Sequence, residues 1–102
     1  MINELKNITN TIVAGVQPSA IYLFGSAKNF ELKKDSDLDI CVLVNQTDGL
    51  RKISQKLYRL LIDAPFPIDI IVENIDVFYK KRMFNNLIYK DISEGVCLYE
   101  SK

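Results

Sequence analysis

The sequence predicts an α/β (α+β) domain, a small β-sheet with flanking helices, on three observations. Short apolar runs (Ala20–Phe24, Leu38–Val44, residues 68–72 and 96–99) alternate with stretches whose apolar residues recur every three or four positions. The run Leu38–Val44 is apolar on both of its faces, as a strand covered on two sides must be. Gly, Pro, Asn and Asp punctuate the joints between these segments. At 102 residues, 48% of them apolar, the chain is expected to form a single domain over residues 1–102.

In chain order, Leu5, Ile8, Ile12, Val13 and Val16 follow Ile2 at helical spacing. They predict an amphipathic helix that covers the sheet, with Asn3 as its cap and Gly15 and Pro18 closing it. A buried strand, Ala20–Phe24, then delivers Gly25 and Ser26 at its end. The polar loop beyond carries Lys28, Lys33 and Lys34, which either touch a phosphate or form a solvated loop face. The second strand, Leu38–Val44, is expected at the centre of the sheet. A turn over residues 45–49 offers Asp48 as the N-cap of a helix marked by Leu50, Ile53, Leu57, Leu60 and Leu61. Its outer face, with Arg51, Lys52, Lys56 and Arg59, suits solvent or an acidic partner. Pro65 and Pro67 bracket the approach to a third strand, residues 68–72, interrupted by Asp69. From Asp76, read as an N-cap, one helix is expected with Phe84, Leu87, Ile88 and Ile92 on a single stripe. Asp91 and Gly95 bring it towards its end, and residues 96–99 form a last strand. Lys80, Lys81 and Arg82 make a basic cluster with no assigned use.

Bulk properties narrow the function. Thirteen basic residues balance thirteen acidic ones, so no global field draws in nucleic acid or an anionic membrane. No apolar run approaches the ~20 residues of a membrane span, and no apolar signal segment opens the chain. Cys41 and Cys97 sit in apolar, strand-like surroundings, and the sequence contains no histidine to share a metal with them. They are expected to be reduced core residues of a cytoplasmic protein. The missing histidine also excludes hydrolases that use a His base.

The chemistry concentrates between the first two strands. Residues i and i+2 of a strand share a face and lie roughly 6.5 Å apart. Asp37 and Asp39 therefore aim two carboxylates in one direction from the opening of the second strand. Hard divalent cations take oxygen donors of this kind, and a metal pair can clamp a displacement at phosphorus. Gly25 admits close approach of a ligand to backbone, and Ser26 offers a hydroxyl and an N–H to phosphate. Asp69 is a lone acid in an apolar run, which is expensive unless it is paired or metal-bound. It is either a further ligand, or a salt-bridged or edge-strand aspartate.

Gly25-Ser26, ten residues, then Asp37-x-Asp39, resembles the signature of the DNA polymerase beta-like nucleotidyltransferases, in particular the minimal nucleotidyltransferases (MNT). The close of the chain, from Ile92 to Glu100, is similar to theirs as well. The resemblance implies a small mixed sheet and a transfer of AMP from ATP, with Asp37 and Asp39 holding two Mg²⁺ ions. It implies Asp69 as the third metal ligand and proton acceptor, and Gly25 and Ser26 on the β- and γ-phosphates. Asn29-Phe30 stands where many relatives have Arg-Gly, which weakens the expected grip on the nucleotide. Free-standing members resemble antitoxins that adenylylate a tyrosine of a HEPN-family ribonuclease toxin. Acceptor recognition is accordingly expected from such a partner or from a homo-oligomer. The alternatives are a catalytically weak antitoxin that binds sterically, and a transferase acting on a small molecule or an RNA end.

Overall fold

The computed structural model describes residues 2–25, 37–83 and 87–101. The elements run α1 (Ile2–Val16), β1 (Ala20–Phe24), β2 (Leu38–Val44), α2 (Leu50–Leu60), β3 (Ile68–Asn74), α3 (Ile75–Met83), α4 (Leu87–Ser93) and β4 (Val96–Glu100). The four strands make one mixed sheet in the order β3-β2-β1-β4. β1 is antiparallel to both β2 and β4, whereas β2 and β3 are parallel. A parallel pair cannot be joined by a hairpin, and α2 supplies the crossover.

Strand alternation sorts the apolar residues into two cores. Ile21 and Leu23 of β1, with Leu38, Ile40, Val42 and Val44 of β2, pack beneath Leu5, Ile8 and Ile12 of α1 and Leu57 of α2. Ala20 and Phe24, with Cys41 and Leu43, pack on the other face against Phe78 of α3 and Tyr89 and Ile92 of α4. β2 is central and buried on both faces, as its composition predicts. Among the described residues β3 is an edge strand, and its Asp69 is exposed. Its charge therefore needs no partner to offset burial, in line with the edge-strand alternative for this residue. Among the described residues no helix is long and apolar enough to cross a membrane.

Several joints differ from the sequence reading. α1 ends beyond Gly15, with Gln17 taking the left-handed conformation (φ 48°) and its N–H donating to the Val13 carbonyl at 3.1 Å. α2 is capped by Gly49 at φ 69° with no side-chain cap hydrogen bond, so Asp48 does not serve. The N-cap of α3 is Asn74, not Asp76. Asn74 Oδ1 accepts the N–H groups of Asp76 and Val77, both at 3.0 Å. Its Nδ2 donates to the carbonyls of Asn45 and Gln46 at 3.0 and 3.1 Å, which lets this amide be buried. The single C-terminal helix is two. Phe78, Tyr89 and Ile92 face the core while Ile88 is exposed, and Phe84 lies outside the described residues. Cys97 is exposed on β4 rather than in the core, whereas Cys41 is buried.

Candidate active site

Antiparallel β1 ends where parallel β2 and β3 begin, so the topology gathers three strand ends at one edge of the sheet. There Phe24 pairs with Asp39, and Asp39 lies directly opposite Asp69. Residues paired across strands share a face, here the face covered by α3 and α4. Gly25 follows at φ 72°, a conformation that side chains other than glycine rarely adopt. A Cβ at Gly25 would collide with Asp39 Oδ2. The glycine thus leaves its space to the carboxylate as well as making the turn.

Asp39 is half-buried, while Asp37 and Asp69 are exposed. Burial first, then the negative charges of Asp69, Asp37 and Asp91, push the Asp39 carboxyl above its ordinary value. Asp91 is the member of this neighbourhood that the sequence reading did not assign to the site. It lies on α4 next to the buried Ile92, and only the packing of that helix brings it to the sheet edge. Contacts of α4 and of the bend that follows it accompany this packing. The Tyr89 hydroxyl donates to Glu73 Oε2 at 2.7 Å, and Gly95 lies so close to the Leu23 carbonyl that a Cβ would overlap it. Lys81 of the basic cluster pairs with the same Glu73 oxygen at 3.6 Å, and Arg82 lies over the Tyr79 ring at 4.4 Å.

Ser26, the loop lysines 28, 33 and 34, and Asn29-Phe30 lie outside the described residues. The structure brings Asp39 and Asp69 together as cross-strand neighbours, with Asp37 two residues before Asp39 and just ahead of β2. Strand spacing of ~4.8 Å and a two-residue step of roughly 6.5 Å put the three backbones within reach of shared cations. Among the described residues, however, no three acidic or cysteine side chains are gathered into a group that could hold a metal ion. Asp37 and Asp69 are both exposed, so packing does not fix their side chains. Carboxylate oxygens are the donor type that a hard cation such as Mg²⁺ takes. A separate cleft of about 330 Å³, lined in part by Ile8, Leu61 and Pro65, lies on the α1/α2 face and does not reach the carboxylates.

Comparison with known proteins places this arrangement. A search of curated proteins by sequence finds no match. A solved structure of a toxin–antitoxin with AMP-PNP superposes with a TM-score of 0.53 at 19% identity, covering 95% of this chain and 74% of that one. At that identity the likeness is one of fold. The family model for polymerase beta, nucleotidyltransferase, matches residues 6–102. With nearly the whole chain inside that match, and the paired aspartates at its sheet edge, the protein belongs to the polymerase beta nucleotidyltransferase family.

Proposed function

We propose that the chain is a Mg²⁺-dependent nucleotidyltransferase that moves AMP from ATP to a hydroxyl, and that the acceptor is a tyrosine of a HEPN-family toxin. The observation that carries the reading is the Gly25–Asp39–Asp69 constellation: a carboxylate under a glycine turn, facing a second carboxylate across a parallel ladder. Asp37 and Asp39 would hold two Mg²⁺ ions, with Asp69 as a ligand of the ion on the acceptor side. When bound, these ions supply charge neutralisation at the phosphates. Gly25, with Ser26 beside it, would seat the β- and γ-phosphates. Asp69 would take the proton of the acceptor hydroxyl as its oxygen bonds to the α-phosphorus and pyrophosphate departs. Positioning and charge neutralisation are the main aids to such a transfer, and this site is built from little else.

The likeness to a toxin–antitoxin structure supports a protein partner. The even charge balance favours a protein hydroxyl over an RNA end, because phosphate-backbone binding needs clustered Lys and Arg. The protein should label the product of the neighbouring gene when incubated with labelled ATP and Mg²⁺. Asp37→Asn and Asp39→Asn should lower the rate by about 10³-fold or more while leaving the fold intact. Normal transfer by either variant refutes the assignment. The likeness to a toxin–antitoxin structure is equally compatible with a second reading, a sterically acting antitoxin. Undiminished neutralisation of the partner by an Asp37/Asp39 double variant identifies it.

A further inference from the structure

Among the described residues β3 has β2 on one side and no strand on the other. Such an edge keeps its place through its inward backbone groups, while the outward ones need water or a side chain. The inner ladder opens where the Leu38 N–H donates to the Pro67 carbonyl at 2.9 Å. The outward N–H of Ile70 is met from α2, donating to the Tyr58 hydroxyl at 2.9 Å. Ile70 is only 9% exposed, whereas Tyr58 is 45% exposed, so this hydrogen bond lies at the rim of the sheet. Asp69 lies between these two anchors and opposite Asp39.

We propose that Tyr58 is a positioning residue for the carboxylate site: its hydroxyl stands in for the missing strand at Ile70 and holds Asp69 in register with Asp39. The inference rests on the metal-binding reading of those carboxylates. Tyr58 lies on α2, on the opposite face of the sheet from both aspartates, so it acts through the β3 backbone and not by touching a cation or a nucleotide. An unanchored edge strand opens locally at low cost, and every opening at Ile70 carries Asp69 away from its neighbour.

Tyr58→Phe keeps the ring and removes the hydroxyl. Amide exchange and Mn²⁺ binding, the latter followed by electron paramagnetic resonance, are measured on the whole chain, with Tyr79→Phe as a control on α3. Exchange at Ile70 should rise by about tenfold while Ile40 on β2 keeps its protection. Mn²⁺ affinity should fall by about tenfold, the low end of what groups supporting a ligand contribute. Tyr79→Phe should change neither. Unchanged exchange at Ile70 overturns the proposal, and so does faster exchange with undiminished Mn²⁺ affinity, which would make Tyr58 a trim of the sheet edge alone. If the unaltered protein binds Mn²⁺ no better than Asp39→Asn, the metal reading itself fails and the positioning role falls with it. That comparison does not involve the Tyr58 variant, so the two failures are told apart.

Discussion

Replacing Asp39 with asparagine should make the protein more stable in the absence of divalent ions. Asp39 is half-buried and feels the charges of Asp69, Asp37 and Asp91, all of its own sign. Neighbouring strands ~4.8 Å apart and alternate residues ~6.5 Å apart imply carboxylate spacings of about 6 Å. One like-charge pair at that spacing costs about 0.7 kcal/mol in water. At about 0.15 M salt, with a Debye length of about 8 Å, roughly half survives. Asp37 and Asp69 together then leave about 0.7 kcal/mol, and partial burial of Asp39 brings the relief on neutralisation to about 1 kcal/mol. For a domain of this size that corresponds to a rise in Tm of about 4–8 °C. The pH dependence has a definite sign. The Asp39 carboxyl titrates higher in the folded chain than its ordinary value of 3.8, so between the two values the native state binds more protons than the unfolded state. Stability then falls as pH rises through that window, and the full penalty remains above it. The variant lacks this penalty. Its advantage should be absent below the ordinary carboxylate value and complete at neutral pH. Thermal melts of both proteins in chelator, across the acid-to-neutral range, read this directly. A variant that melts at or below the parent at neutral pH would refute the repulsive cluster.

Gly25→Ala should destabilise by about 2 kcal/mol or more, since the left-handed backbone alone costs a side chain about 1–2 kcal/mol and the new Cβ must displace Asp39. Unaltered urea unfolding would show that the turn relaxes freely. Asn74→Ala removes a cap and strands two carbonyls, for a loss of about 2–3 kcal/mol in the same assay. Asn74→Asp retains the cap but not the two donors, and should fall between the two; equality with the parent would discount the Asn45 and Gln46 contacts. Burial pushes the Cys41 thiol up to about 12, whereas Cys97 is exposed. Iodoacetamide at mildly alkaline pH should therefore modify Cys97 alone, with Cys41 reacting only in denaturant. Mass spectrometry that finds Cys41 alkylated in the native protein would contradict its burial.

Local pattern was enough for much of this protein. Doubly apolar runs marked β1 and β2 as inner strands, because a strand without a polar face has nowhere to put one in water. Helical spacing located α1 and α2 within a residue or two. The Gly25 and Asp37-x-Asp39 positions were legible because a turn glycine and a two-residue acidic step need only nearest neighbours to define them. The joints were not. Asp48 and Asp76 carry the chemistry of caps, but Gly49 and Asn74 hold those positions. For Asn74 the choice depends on partners 28 and 29 residues away, the carbonyls of Gln46 and Asn45. Nor does an apolar stripe reveal that the last helical stretch is two helices, with Ile88 turned outward. Strand order is likewise a long-range outcome. Pairing β3 with β2 placed the exposed Asp69 across from Asp39, and packing α4 and the bend after it against Glu73 and Leu23 brought Asp91 within electrostatic reach. Residue types and spacing determined which groups could do chemistry. Only the folded sheet, by deciding which strands lie side by side, determined which of those charges feel one another.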